Sequence, residues 1–141
     1  MDCKQFFEQI KGKKIAMCGI GVSNTPLIKN FLGKGAYVYA CDRRSRAQIG
    51  SIADELEAAG AELRLGDGYL DNLEVDIIFR TPGMNFNLPE LEAARKKGIA
   101  VTSEMEVFFD LCPATIFAVT GSDGKTTTTT LIAKMLEAEG K

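Results

Sequence analysis

KIAMCGIGVSN, residues 14–24, decides the fold. Ile15, Ala16, Met17 and Cys18 form an unbroken apolar run, which suits a strand buried on both faces of a parallel sheet. Gly19 and Gly21 follow at once, where a backbone has to turn tightly and let a ligand come close. A helical pattern then opens over 25–34, with Pro26 in its first turn and Leu27, Ile28, Phe31 and Leu32 on one face. The free N–H groups of such a helix start can face a phosphate. The next strand, AYVYACD (36–42), ends on Asp42, about 20 residues further on, where the dinucleotide-binding fold places an acid against a ribose hydroxyl. The third glycine of GxGxxG falls on Asn24, so a plain tight turn followed by an ordinary aspartate stays open as an alternative.

Working outward, VDIIFRT (75–81), IAVTS (99–103), TIFAVTG (115–121) and the weaker AELRLG (61–66) read as further strands. Helical patterns lie between them. Segment 46–59 places Ile49, Ile52, Ala53 and Leu56 on one face, with Gly60 as its cap. Segment 88–97 starts near Pro89, with glutamates early and lysines late, in the order that the helix dipole favours. Segment 103–111 opens on Ser103 with Glu106 three residues later, a capping-box pattern. A short helix is expected at about 3–10, packing Phe6, Phe7 and Ile10, and a last helix over 125–139. Alternation of strand and helix predicts an α/β fold, a Rossmann-like parallel sheet with flanking helices. A break is expected at Cys112–Pro113, because the residue before proline is biased away from helix. Residues 1–112 then form one domain and 113–141 the start of a second.

Composition narrows the function. The chain has 141 residues and a net charge of −2, which argues against general nucleic-acid or membrane-surface binding. No apolar run approaches the ~20 residues that span a bilayer, and MDCKQFFEQIKGKK has no signal-peptide core. Cys3, Cys18, Cys41 and Cys112 form no CxxC pair, and there is no histidine, so a zinc site is not expected. Reduced thiols in a cytoplasmic protein fit this pattern.

Three loops should converge at the C-terminal edge of the sheet: Gly19–Asn24, the run Asp42, Arg43, Arg44, and TPGMN from Thr81 to Asn85. The arginines would hold an anionic or flat heterocyclic ligand, unless they are simply a solvated basic loop. A separate signal is VTGSDGKTT, a strand running into a phosphate-type loop and a helix start. The N–H groups around Gly121, Ser122, Asp123 and Gly124 can wrap phosphate oxygens, Lys125 adds charge, and the Thr126 hydroxyl can ligate Mg²⁺. The loop departs from GxxxxGK[ST], since the first glycine position is Val119. Asp123 either caps the helix or stays solvated.

CGIGVSN, CDRR, RTPGMN, SEMEVFF and VTGSDGKTTTT, spread from about residue 14 to 130, together resemble the Mur ligases, the ATP-dependent amino-acid ligases of peptidoglycan precursor synthesis. The match is nearest to the member that adds D-glutamate to UDP-N-acetylmuramoyl-L-alanine. The resemblance implies that the first domain binds the UDP end of that substrate. Gly21, Val22, Ser23, Asn24 and Thr25 would meet the diphosphate. Asp42, Arg43 and Arg44 would hold the uracil, and Thr81, Pro82 and Gly83 would line the same pocket. It implies an ATP loop at Gly121, Ser122, Asp123, Gly124, Lys125, Thr126 and Thr127, with Thr126 near Mg²⁺ in a longer enzyme. No catalytic residue is expected in this stretch, which by itself should be inactive. A dinucleotide-binding module explains Gly19, Gly21 and Asp42 but leaves TGSDGKT over; an interaction protein with two idle turns explains neither. A longer enzyme of this family should be a monomer. Residues 115–139, cut from their domain, should be disordered or should mediate a dimer through an exposed strand edge.

Overall fold

Five parallel strands, β1 (Lys14–Cys18), β2 (Tyr37–Asp42), β3 (Glu62–Leu65), β4 (Ile77–Arg80) and β5 (Ala100–Ser103), hydrogen-bond in the order β3-β2-β1-β4-β5. The structure is a computed structural model that describes residues 2–141, and it divides into two units between Leu111 and Cys112.

The first unit holds the sheet and six helices: α1 (Cys3–Ile10), α2 (Asn24–Gly33), α3 (Arg46–Ile49), α4 (Ser51–Ala58), α5 (Pro89–Lys96) and α6 (Glu104–Leu111). The period of two along each strand separates two cores. Ile15, Met17, Val38, Ala40 and Phe79 face one side, where they meet Phe6 and Ile10 of α1, Ile28 and Phe31 of α2, Ile49 of α3, and Ala53 and Leu56 of α4. Phe31 meets Phe79 edge-on, with ring centres 5.2 Å apart, the favoured arrangement for an aromatic pair. Ala16, Cys18, Cys41 and Ile78 face the other side, covered by Leu70, Leu73, Val75 and, from α5, Leu91 and Ala94. Central β1 is therefore buried on both faces, which is why its sequence reads as a continuous apolar run. Neighbour β2 runs one way from β1 and β4 the other, so the chain reverses direction across the sheet between β1 and β4. That reversal leaves a crevice beyond their C-terminal ends.

Two expectations are corrected. Segment 46–59 is not one helix. Ser45 and Gln48 form a capping box that opens α3, and Gly50 then turns out with φ 71° and ψ −147°, a conformation nearly closed to residues with a Cβ. Its N–H closes α3 on the Arg46 carbonyl at 2.9 Å, and α4 restarts at Ser51. A helical period runs through the glycine, but glycine's freedom lets the chain break there and still bury Ile49 and Leu56. The other correction is in the second unit, which contains helix α7 (Lys125–Ala138) and, among the described residues, no strand. Residues 115–121 have strand composition, but a strand exists only where neighbours accept its ladder bonds. The tail is also not disordered throughout, because α7 forms. Ile116, Phe117, Leu131 and Met135 are exposed.

Candidate functional site

At the end of β1 the chain makes its turn on Gly19, with φ +95°. The Gly19 N–H bonds the Cys41 carbonyl at 2.7 Å, tying the β1 exit to β2. A Cβ at this position would lie 2.4 Å from Thr81 Cγ2, so only glycine lets the β1 loop and the β4 exit close together. Asn24, where the sequence lacks a third glycine, is buried. Its Nδ2 donates to the Gly19 carbonyl at 2.7 Å and to the Cys18 carbonyl at 3.4 Å. The asparagine thus braces the start of α2 against the end of β1, holding by hydrogen bonds a junction that a glycine would hold by close packing. Ser23 precedes α2 without a side-chain cap, and the first N–H groups of α2 lack intrahelical partners, as at any helix start. Gly21, Val22 and Ser23 are exposed at the rim. Thr25 Oγ1 is buried without a partner among the described residues.

Asp42 ends β2 almost fully buried, and its carboxylate is saturated from within the chain. Oδ2 accepts from the Ile20 N–H at 2.8 Å and from Arg44 Nη2 at 2.9 Å; Oδ1 accepts from the Arg44 N–H at 2.9 Å and Nε at 3.0 Å. Arg44 Nη2 also donates to the Ile20 carbonyl. Burial alone would raise the Asp42 pKa. The Arg44 guanidinium and the N–H groups of Arg44 and Ile20 outweigh it and hold the carboxyl below its usual value. Asp42 and Arg44 are therefore a frame locking the β2 exit to the β1 loop. Arg43 has no ion-pair or side-chain hydrogen-bond partner among the described residues and is exposed. The two arginines, adjacent in sequence, thus have different surroundings.

A cavity of about 540 Å³ opens beyond this frame. Asp42, Arg43, Arg44, Thr81 and Gly83 line it, as the three-loop convergence requires, together with Gly19 and Asn85. Gly21, Val22, Ser23, Asn24, Thr25 and Pro82 do not line it. Met84, within the expected Thr81–Asn85 loop, forms its apolar wall with Tyr69 and Leu88, which the sequence reading did not place at the site. Tyr69 follows β3 in GDGYLDN, just after Gly66, whose N–H bonds the carbonyls of Asp42 (2.9 Å) and Arg44 (3.2 Å). The rule that ligands sit beyond strand ends applies to β3 as well, and applying it there would have found Tyr69.

The loop between β4 and α5 is held in shape by several contacts. Met84 N–H closes a turn on the Thr81 carbonyl at 3.0 Å, and Asn87 N–H bonds Asn85 Oδ1 at 2.9 Å. The Phe86 ring meets the guanidinium groups of Arg95 (3.8 Å to the ring centre) and Arg80 (5.3 Å), and the Phe86 carbonyl accepts from Arg95 Nη1 at 2.9 Å. Arg80 also reaches Glu106 of α6 at 3.4 Å. Half of the expected capping box is present: the Glu106 N–H bonds Ser103 Oγ at 3.2 Å, while the Glu106 carboxylate accepts from Thr102 Oγ1 at 3.1 Å.

In the second unit, Gly121 to Thr127 form an exposed loop and helix start. Gly124 precedes α7 in the left-handed region, and no side chain caps the helix, so Asp123 does not. Lys125 Nζ donates to the carbonyls of Gly121 at 2.7 Å and Ser122 at 3.1 Å, folding its charge over the loop. A charge held over a glycine loop at a helix start, with the Thr126 hydroxyl exposed beside it, is a donor set that fits a metal-bound polyphosphate. Among the described residues no group of three His, Cys, Asp or Glu side chains forms a metal cage, and no helix is long and apolar enough to cross a membrane.

Sheet order, crevice and glycine turn define a Rossmann-like α/β unit with a cavity at its switch point. No family model matches the chain. It is 54% identical over 136 residues, 96% of its length, to the UDP-N-acetylmuramoylalanine–D-glutamate ligase of Acetivibrio thermocellus, and 53% identical over 137 residues to the ligase of that name from Clostridium botulinum (strain Okra / Type B1). The resemblance to the Mur ligases read from the motifs is borne out by these matches. The chain spans 29% and 30% of the length of these two curated relatives.

Proposed function

We propose that this chain is the UDP-substrate-binding part of an ATP-dependent ligase that adds D-glutamate to UDP-N-acetylmuramoyl-L-alanine in peptidoglycan precursor synthesis. The observation that carries the proposal is the cavity at the switch point, with the Asp42–Arg44 frame, Arg43, Thr81 and Gly83 on its walls. The names and identity of the relatives support it. In this reading the diphosphate lies along the rim at Gly21, Val22, Ser23, Asn24 and Thr25, against the first N–H groups of α2. Arg43, exposed and without a side-chain partner among the described residues, supplies positive charge. Arg44, fixed by Asp42, contributes a rigid wall for the base, and Thr81, Pro82 and Gly83 close the pocket opposite.

Asp42 acts through this frame, since its four acceptor positions are taken. That speaks against a dinucleotide-binding module, in which the same acid has to accept from a ribose hydroxyl. ATP and Mg²⁺ belong to the longer enzyme, a cytoplasmic monomer in this reading. Gly121, Ser122, Asp123, Gly124, Lys125, Thr126 and Thr127 would hold the phosphates, with Thr126 on the metal. Bound Mg²⁺–ATP would supply the phosphoryl group that activates the substrate carboxylate for attack by the D-glutamate amine. The 141-residue chain alone is proposed to bind and not to turn over. Calorimetric titration with UDP-N-acetylmuramoyl-L-alanine and, separately, NAD⁺ tests this: saturable heat with the first and none with the second is expected. Binding of NAD⁺ alone, or of neither by folded protein, refutes it.

A further inference from the structure

Among the residues that line the switch-point cavity, Tyr69 carries the one aromatic ring. It is half-buried and packs, as Met84 and Leu88 do, on the core that includes Cys18 and Ile78. Its hydroxyl makes no hydrogen bond among the described residues, and burial, reinforced by nearby Cys18 and Asp42, pushes the phenol pKa up, so it stays a donor at neutral pH. Opposite in character is the other wall, where Asp42 pins Arg44 by its main-chain and side-chain N–H groups. A site so divided asks for a ligand with a flat apolar face next to an anionic part. The locked guanidinium and the free ring are rigid planar surfaces that cost little entropy to use.

We propose that Tyr69 is the residue on which the pyrimidine base of the nucleotide stacks, and so an affinity-determining residue of this site. The proposal rests on the UDP-binding reading and adds to it a contact that the motifs do not contain. Base-on-ring stacking is sequence-tolerant in general, because every base has a π-face. Tyr69 would thus supply affinity for a base as such, and the walls around it would set its size.

The experiment is an NMR titration of the full 141-residue chain with UDP, comparing wild type, Tyr69→Phe and Tyr69→Leu, each first checked for a native amide spectrum. In wild type and Tyr69→Phe, the uracil H5 and H6 signals should move upfield as UDP binds, through the ring current. In Tyr69→Leu they should not, and affinity should fall about tenfold, the size of one base–aromatic stack. A packing role alone would be met by leucine, so retained affinity in Tyr69→Leu overturns the proposal. So does the absence of an upfield shift in wild type that binds UDP. If folded wild type binds no UDP at all, the UDP-binding reading itself falls, and the stacking role falls with it.

Discussion

Asp42 shows how a single residue can carry the architecture of a site through bonds made within the chain. Its carboxylate accepts from Ile20 and Arg44 and joins the exits of β1 and β2. Asp42→Asn should destabilise the fold by about 2–3 kcal/mol at neutral pH, because it weakens charge-assisted bonds in a buried position; the half exposure of Arg44 keeps the figure moderate. The folded carboxyl titrates below its usual value, whereas the unfolded one titrates near pH ~4. Its stabilisation is therefore complete above about pH 4 and is lost as pH falls through the lowered folded value. Urea denaturation of both proteins should show a constant gap from neutral pH down to about pH 4 and a shrinking gap below. A second residue-scale prediction concerns Gly19. Gly19→Ala should cost about 2–4 kcal/mol, from its positive φ and from the clash with Thr81 Cγ2. Adding Thr81→Ser removes that methyl and should restore the clash portion only, a coupling that a double-mutant cycle reads directly.

At the level of elements, what was legible in the sequence followed from burial. β1 announced itself because both its faces are covered, and α2 and α5 because each buries one stripe. Gly50 was misread because periodicity records which residues are buried and not whether the backbone between them is continuous. Gly50→Ala, forced into a glycine conformation, should lower stability by about 1–3 kcal/mol, measurable as a fall in Tm. The strand over 115–121 was misread for another reason: composition encodes a preference for a sheet, and no ladder partner lies within its unit. Of the site, the glycine turn, Asp42 and TPG were visible as motifs. Asn24 was seen only as a departure from a pattern, Tyr69 needed the strand-end rule to be applied to β3, and the Arg80–Phe86–Arg95 contacts have no motif of their own, since they join a strand, a loop and a helix. Helix α7 buries no residue and, after Lys125, runs through five threonines, whose β-branched side chains favour helix weakly. Its amides should exchange with deuterium orders of magnitude faster than those of β1 and β2, as hydrogen-exchange mass spectrometry would report.

On the scale of the whole molecule, every buried hydrophobic residue among those described precedes residue 112. A chain ending at Leu111 should therefore fold with a urea midpoint close to that of the longer one; loss of cooperative unfolding would mean that the second unit contributes to the first core. The resulting picture is a sheet-and-helix unit with a cavity at the β1–β4 switch point, followed in sequence by an exposed glycine loop that opens helix α7. Its most direct test is an amide chemical-shift map of the isotope-labelled 141-residue chain titrated with UDP-N-acetylmuramoyl-L-alanine. The account predicts saturable shifts that cluster at residues 19–24, 42–44, 69 and 81–85. Shifts centred elsewhere, or none from folded protein at millimolar ligand, would contradict it.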